Sequence, residues 1–160
     1  MRAETYRNTL YCGHETHRYW VGASMLVGGS IVDAADARHL ALDFGITHVL
    51  NVETEHDDSG KGVDHLLQLQ VPDDGSRFPI SFVRAAVAFG KPVVMGNGKL
   101  YVHCQMGGSR SPAFVYAVLR GCGSPPAAAL EAIRTAKGDI NWGVHPYHVS
   151  YMASIEEALA

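Results

Sequence analysis

Apolar positions along the chain alternate between a period of two and a period near 3.6 from end to end, with glycine and proline marking the changes. The apolar run Ser24 to Val27, closed by Gly28 and Gly29, predicts a strand. Ile46 to Val52, rich in β-branched residues and preceded by Gly45, predicts a second. Between them Asp33 can cap a helix from Ala34 to Phe44, with Ala37, Leu40, Ala41 and Phe44 on one face and Gly45 as a left-handed terminator. Leu67, Leu69 and Val71 alternate with Gln68 and Gln70, the rhythm of a half-buried strand, which Pro72 stops. Pro79 opens a helix to about Phe89 that buries Phe82, Val83, Ala86 and Phe89, and Gly90 and Pro92 break or kink it.

After the turn Asn97-Gly98, Lys99 to His103 predicts a short strand, and Pro112 leads into a helix over Ala113 to Arg120 that Gly121 and Gly123 close. Ser124 and Pro125 start a helix through Lys137, ended by Gly138. Pro146 starts a last one carrying Val149, Met152, Ile155 and Leu159. Strands mixed with helices throughout make the fold class α/β. With no linker, repeat or low-complexity tract, residues 1–160 are expected to form one domain, with the polar residues 1–18 as an N-terminal extension.

Composition narrows the function. Hydrophobic residues are 47% of the chain and charged residues 18%, the balance of a globular domain rather than a disordered one. The formal net charge of −3 gives no footprint for a nucleic-acid backbone or an anionic membrane, so any anion must be gripped locally. No run approaches the roughly 18 apolar residues of a membrane span, and residues 1–10 lack a secretory pattern, so a cytoplasmic location is expected. Cys12, Cys104 and Cys122 are odd in number and widely spaced, which leaves free thiols rather than a disulfide framework.

Ligands of α/β sheets sit beyond the carboxyl ends of the strands, which directs attention to the segment after His103. It reads Cys104-Gln105-Met106-Gly107-Gly108-Ser109-Arg110-Ser111, between a predicted strand and a predicted helix. Two glycines let the backbone curl so that N–H groups from Gln105 to Arg110 converge on one point, to which the helix N-terminus adds its dipole. A tetrahedral oxyanion fits such a cup, gripped by the Arg110 fork. The same positive surroundings favour a thiolate at Cys104, a nucleophile for in-line attack on bound phosphate. Ser111 is placed to ease the sulfur's later departure, and His103 to order the loop through hydrogen bonds. A bare Cys-Arg pair at this spacing is weak evidence, but the added His, Gly and Ser bring chance occurrence to roughly one in 10⁵.

The stretch His103-Cys104-x-x-Gly107-x-x-Arg110-Ser111 resembles the signature of the cysteine-based protein tyrosine phosphatases, in the compact dual-specificity branch. Phe44 to Val52 is similar to the segment that this branch carries after its first long helix, and the order of elements over Val21 to Leu159 also matches. Met106 and Gly108 differ from the residue types common there. The resemblance implies a three-layer sandwich whose central mixed, mostly parallel sheet of about four to five strands is flanked by helices. It also implies phosphomonoester hydrolysis through a phosphocysteine with no cofactor and no metal, on a phosphorylated protein or another phosphomonoester. Family members carry a general-acid Asp on a mobile loop some thirty residues before the cysteine. Asp73 and Asp74, in Pro72-Asp73-Asp74-Gly75, both fit, and Asp74 is favoured because an Asp-Gly pair occurs in several relatives. Adjacent carboxylates also raise each other's pKa, which keeps an acid protonated.

Three other constellations carry less. Cys12, His14 and His17 have metal-ligand types but lack the remaining ligands of a tetrahedral set, so no metal is expected. Tyr11, Tyr19 and Trp20 read as core or edge cover, Cys122 as a small buried apolar residue, and Trp142, His145 and His148 as packing and surface. The competing functions are a phosphate-recognising module without turnover, a sulfur transferase, and a phosphatase of a phosphoinositide, glycan or RNA end. The sequence carries no indication of oligomeric state.

Overall fold

The computed structural model describes residues 2–160. Eleven elements occur among them in the order β1 (Arg2–Asn8), β2 (His14–Val21), β3 (Met25–Gly28), α1 (Ala34–Asp43), β4 (His48–Asn51), β5 (Leu66–Gln68), α2 (Ile80–Met95), β6 (Leu100–His103), α3 (Arg110–Gly121), α4 (Pro126–Lys137) and α5 (Pro146–Leu159). The strands make one sheet in the order β1-β2-β3-β6-β4-β5. β3, β6, β4 and β5 pair in parallel, and β1 and β2 add an antiparallel edge. The carboxyl ends of the four parallel strands therefore open on one rim of the molecule.

Alternation along these strands builds the three layers. Met25, Val27, Leu50, Leu100 and Val102 face a core shared with α2, α3, α4 and α5, whereas Leu26, Val49 and Tyr101 face Ala37 and Leu40 of α1. The helix boundaries obey local rules. The Asp33 side chain accepts from Asp36 N–H, and Gly45 and Gly138 follow their helices in left-handed conformation at φ 71° and 74°.

Three features differ from the sequence reading. The sheet gains strands because residues 2–21 form a hairpin where a polar extension was expected. Its inward face is charged: the fully buried Arg18 donates to Glu4 at 2.7 Å and to Asp36 at 2.8 and 2.7 Å, and stacks on the Tyr6 ring at 3.7 Å. Hydrophobic periodicity cannot register such a face. β5 is shorter than its alternation suggests, because Val71 N–H turns back to Leu69 C=O at 2.9 Å although both side chains stay buried. Finally, α2 continues through Gly90 and Pro92 to Met95. A Cβ at Gly90 would lie 2.9 Å from Val118, so this close approach to α3 supports the helix despite the hydrogen bond that Pro92 removes.

Candidate active site

β6 delivers Cys104 to the middle of the open rim, where the residues after β3, β4 and β5 meet it. Cys104 is buried, and its sulfur lies 3.3 Å from Ser111 Oγ and accepts from Gly107 N–H at 3.3 Å. Loop carbonyls are tied outward: Gln105 C=O accepts from Ser30 N–H at 3.1 Å and Gly107 C=O from the Tyr19 hydroxyl at 3.3 Å. Gly107 has φ 81°, and a Cβ there would meet the Gly28 carbonyl carbon at 2.7 Å, so a glycine is required twice over. Gly108 and Ser109 continue the loop into α3, and the exposed Met106 side chain stands at its rim. Tyr19, read as core or edge cover, is buried and also touches the loop; burial holds its phenol well above its ordinary pKa and so as a donor.

Arg110, the first residue of α3, is buried and held edge-on. Its Nη1 and Nη2 each donate to one Glu55 carboxylate oxygen at 3.0 Å, and Nη1 also donates to Val71 C=O at 2.8 Å. That leaves the Nε edge free: Nε is buried without a hydrogen-bond partner and lies 3.9 Å from Asp73 Oδ1. For Glu55, burial pushes the carboxyl pKa up, but the hydrogen bond and charge of Arg110 outweigh it and the net direction is down.

The two candidate acids point differently. Asp73 faces Arg110, while the exposed Asp74 carboxylate accepts from Ser76 N–H at 2.9 Å and from the Ser76 hydroxyl. Those bonds hold the Asp74 carboxyl below its usual range, the direction opposite to that of a proton donor.

Behind the loop, buried His103 sets Nε2 2.5 Å from Asp58 Oδ2 and Nδ1 3.3 Å from Cys104 C=O. Asp58 also pairs with Lys61 at 3.0 Å, and buried Glu53 accepts from the Ser30 hydroxyl at 2.8 Å. Glu53, Glu55 and Asp58 escaped the sequence reading as part of a polar loop. The available signal was that this loop leaves the carboxyl end of β4, beside β6. His148, read as packing and surface, stacks on Trp142, accepts from Gly143 N–H at Nδ1 (3.1 Å) and lies 3.2 Å from Ser109 Oγ through Nε2. Cys12 and His14 sit in and beside the β1–β2 turn, His17 is bound to Thr5 at 2.8 Å, and all three cysteines are free.

A buried cysteine sulfur that accepts from Gly107 N–H, followed in the same loop by an arginine with one open edge, is the arrangement that a cysteine-dependent phosphatase requires. Known proteins place the chain more narrowly. The model of the dual specificity phosphatase catalytic domain matches residues 32–141, and the chain belongs to that family. No protein with a curated description matches it in sequence. Among solved structures it is similar to human DUSP28 (26% identity, TM-score 0.71, covering 89% of this chain and 94% of that one). It shares its fold with PTPMT1 (22%, 0.69, 89% and 96%). The same holds for the human tyrosine phosphatase-like serine/threonine/tyrosine-interacting protein (19%, 0.69, 89% and 98%).

Proposed function

We propose that this dual-specificity phosphatase hydrolyses phosphomonoesters of protein side chains through a phosphocysteine on Cys104, with Arg110 binding the phosphoryl group and Asp73 as general acid. The observation that carries this reading is the buried Arg110 Nε, an unpartnered cationic donor in the same loop as the Cys104 sulfur, which accepts from Gly107 N–H. Leaving such a donor unpaired is costly, and a phosphate oxygen satisfies it. Glu55 and Val71 hold the guanidinium from one side so that its other edge meets two phosphate oxygens.

In the first step the Cys104 thiolate forms the S–P bond as the P–O ester bond breaks, and the Asp73 carboxyl gives its proton to the departing oxygen. In the second, Asp73 accepts a proton from water, whose oxygen attacks phosphorus. The S–P bond breaks while the Ser111 hydroxyl donates to the leaving sulfur, and His103 keeps the loop in register from behind. Asp73 is preferred to Asp74 on the support of its 3.9 Å approach to Arg110. The phosphate contacts come from Gln105, Met106, Gly107, Gly108 and Ser109 N–H groups with Arg110.

Substrate class follows from charge. No cationic side chain stands between Cys104 and Arg110, and Lys137, which lines a pocket with Met106, Gly107 and Gly108, is paired with Asp139 at 3.1 Å, which supports a single phosphate on an uncharged group such as tyrosine, serine or threonine. Three free cysteines support a reducing, cytoplasmic setting. Among the described residues no helix is long and apolar enough to cross a membrane.

The test is Cys104→Ser. Turnover should fall by at least about 10³-fold while vanadate still binds, and rapid acid quenching of the wild-type protein should trap phosphate on Cys104. Turnover of the variant within about tenfold of wild type would sink the reading.

A further inference from the structure

We infer that Tyr151 is a positioning residue that holds the acid loop against Arg110, which makes α5 a clasp for the general acid. The inference rests on the reading of Asp73 given above and adds the element that sets where its carboxylate stands.

The segment Val71 to Phe78 is a Pro-Asp-Asp-Gly-Ser turn that would be solvated on its own. Here it is anchored along its length. At one end Val71 C=O accepts from Arg110. At the other, four residues of α5 at positions i, i+4, i+7 and i+10 form one helical stripe facing the loop. The Tyr147 ring is seated on Gly75, whose φ is 77°, and a Cβ there would meet Tyr147 Cδ1 at 2.4 Å. The Tyr151 hydroxyl oxygen accepts from Gly75 N–H at 3.1 Å. Ser154 Oγ accepts from Phe78 N–H at 3.2 Å, and Glu157 pairs with Arg77. Phe78 is stacked between Tyr151 (centroids 4.3 Å apart, planes at 17°) and Phe114 of α3 (4.6 Å).

Tyr151 is the pivot of this stripe because one side chain does both jobs. Its ring packs the loop's anchor residue against the helix that begins with Arg110, and its oxygen fixes the backbone two residues after Asp73. Burial pushes its phenol up and keeps it neutral, and the Gly75 N–H bond pulls only part of the way back. An acid must reach the departing oxygen within hydrogen-bond distance, and fixing it beforehand removes the entropy of ordering a mobile turn from the reaction barrier. α5 lies beyond residues 32–141, so the clasp is outside the stretch that identifies the family.

The experiment compares phenyl phosphate, whose leaving group needs a proton, with 4-nitrophenyl phosphate, whose leaving group hardly does, in Tyr151→Phe. The variant keeps the ring and loses only the acceptor oxygen. The expected result is a kcat/KM on phenyl phosphate lower by about tenfold and less than about twofold lower on 4-nitrophenyl phosphate, because kcat/KM reports the steps through departure of the leaving group and not the hydrolysis of the phosphocysteine that both substrates share. Gly75→Ala, which displaces Tyr147 from the loop side, should give the same substrate-selective loss, and Tyr151→Phe should cost nothing further in an Asp73→Asn background. Equal losses on both substrates, no loss, or additive losses with Asp73→Asn would each overturn the inference. Failure of the parent reading shows separately, as an Asp73→Asn single variant that turns over phenyl phosphate like wild type.

Discussion

The guanidinium of Arg110 commits Nη1 and Nη2 to Glu55 and Val71 and leaves Nε open. A lysine keeps the charge but not the planar fork, so Arg110→Lys should lose at least about 10²-fold in kcat/KM for 4-nitrophenyl phosphate and bind vanadate more weakly. The two aspartates separate in the same way. Asp73→Asn should slow phenyl phosphate by about 10²-fold or more, a general acid's contribution, while Asp74→Asn leaves it within about threefold. The reverse ranking in steady-state kinetics would return the role to Asp74, where the Asp-Gly pair pointed. Sequence spacing could not separate neighbours, because what distinguishes them is orientation: Asp74 turns onto Ser76 and Asp73 onto Arg110.

Elements succeed or fail here by what their faces touch. The helices were legible because apolar stripes and capping residues state their ends, as Asp33 and Gly138 do. The β1–β2 hairpin was not, since the largest side chain it buries fully is Arg18. Its two carboxylate partners make that burial tolerable, and removing the cation takes the nearest positive charge from Asp36, which keeps Val32 N–H at 2.9 Å, and from Glu4, which keeps His39 at 2.8 Å. Arg18→Met should therefore destabilise the protein by about 3–5 kcal/mol, read as a lower urea midpoint at unchanged slope. A change under about 1 kcal/mol would mean that the pair is as weak as a surface one. The hairpin also bears on the site, because Asn8 Nδ2 donates to Gln105 C=O at 3.4 Å and Tyr19 to Gly107 C=O.

For the molecule as a whole, paired carboxylates couple stability to pH. Burial pushes Asp58 up, but the hydrogen bond and charge of His103, then Lys61, outweigh it and hold its carboxyl below the ordinary 3.8. Glu55 is likewise held below 4.5 by Arg110. A depressed folded-state pKa contributes stability in full above the unfolded value and loses it as pH falls through the folded one. Urea midpoints should thus decline below about pH 4.5, and Asp58→Asn, less stable at neutral pH, should show a shallower decline; a parallel decline would take Asp58 out of the acid response.

The chain by itself determined the α/β class, the existence and order of five helices, the central strands and the Cys104–Arg110 loop, because each is written in residues adjacent along the backbone or spaced by a helical or strand period. Tertiary structure alone decided which aspartate faces Arg110, that Glu55 and Val71 aim its fork, that Asp58 stands behind His103, and that α5 reaches back to Gly75. Those contacts join positions far apart in sequence, and only packing fixes the distance and direction on which a hydrogen bond or an ion pair depends.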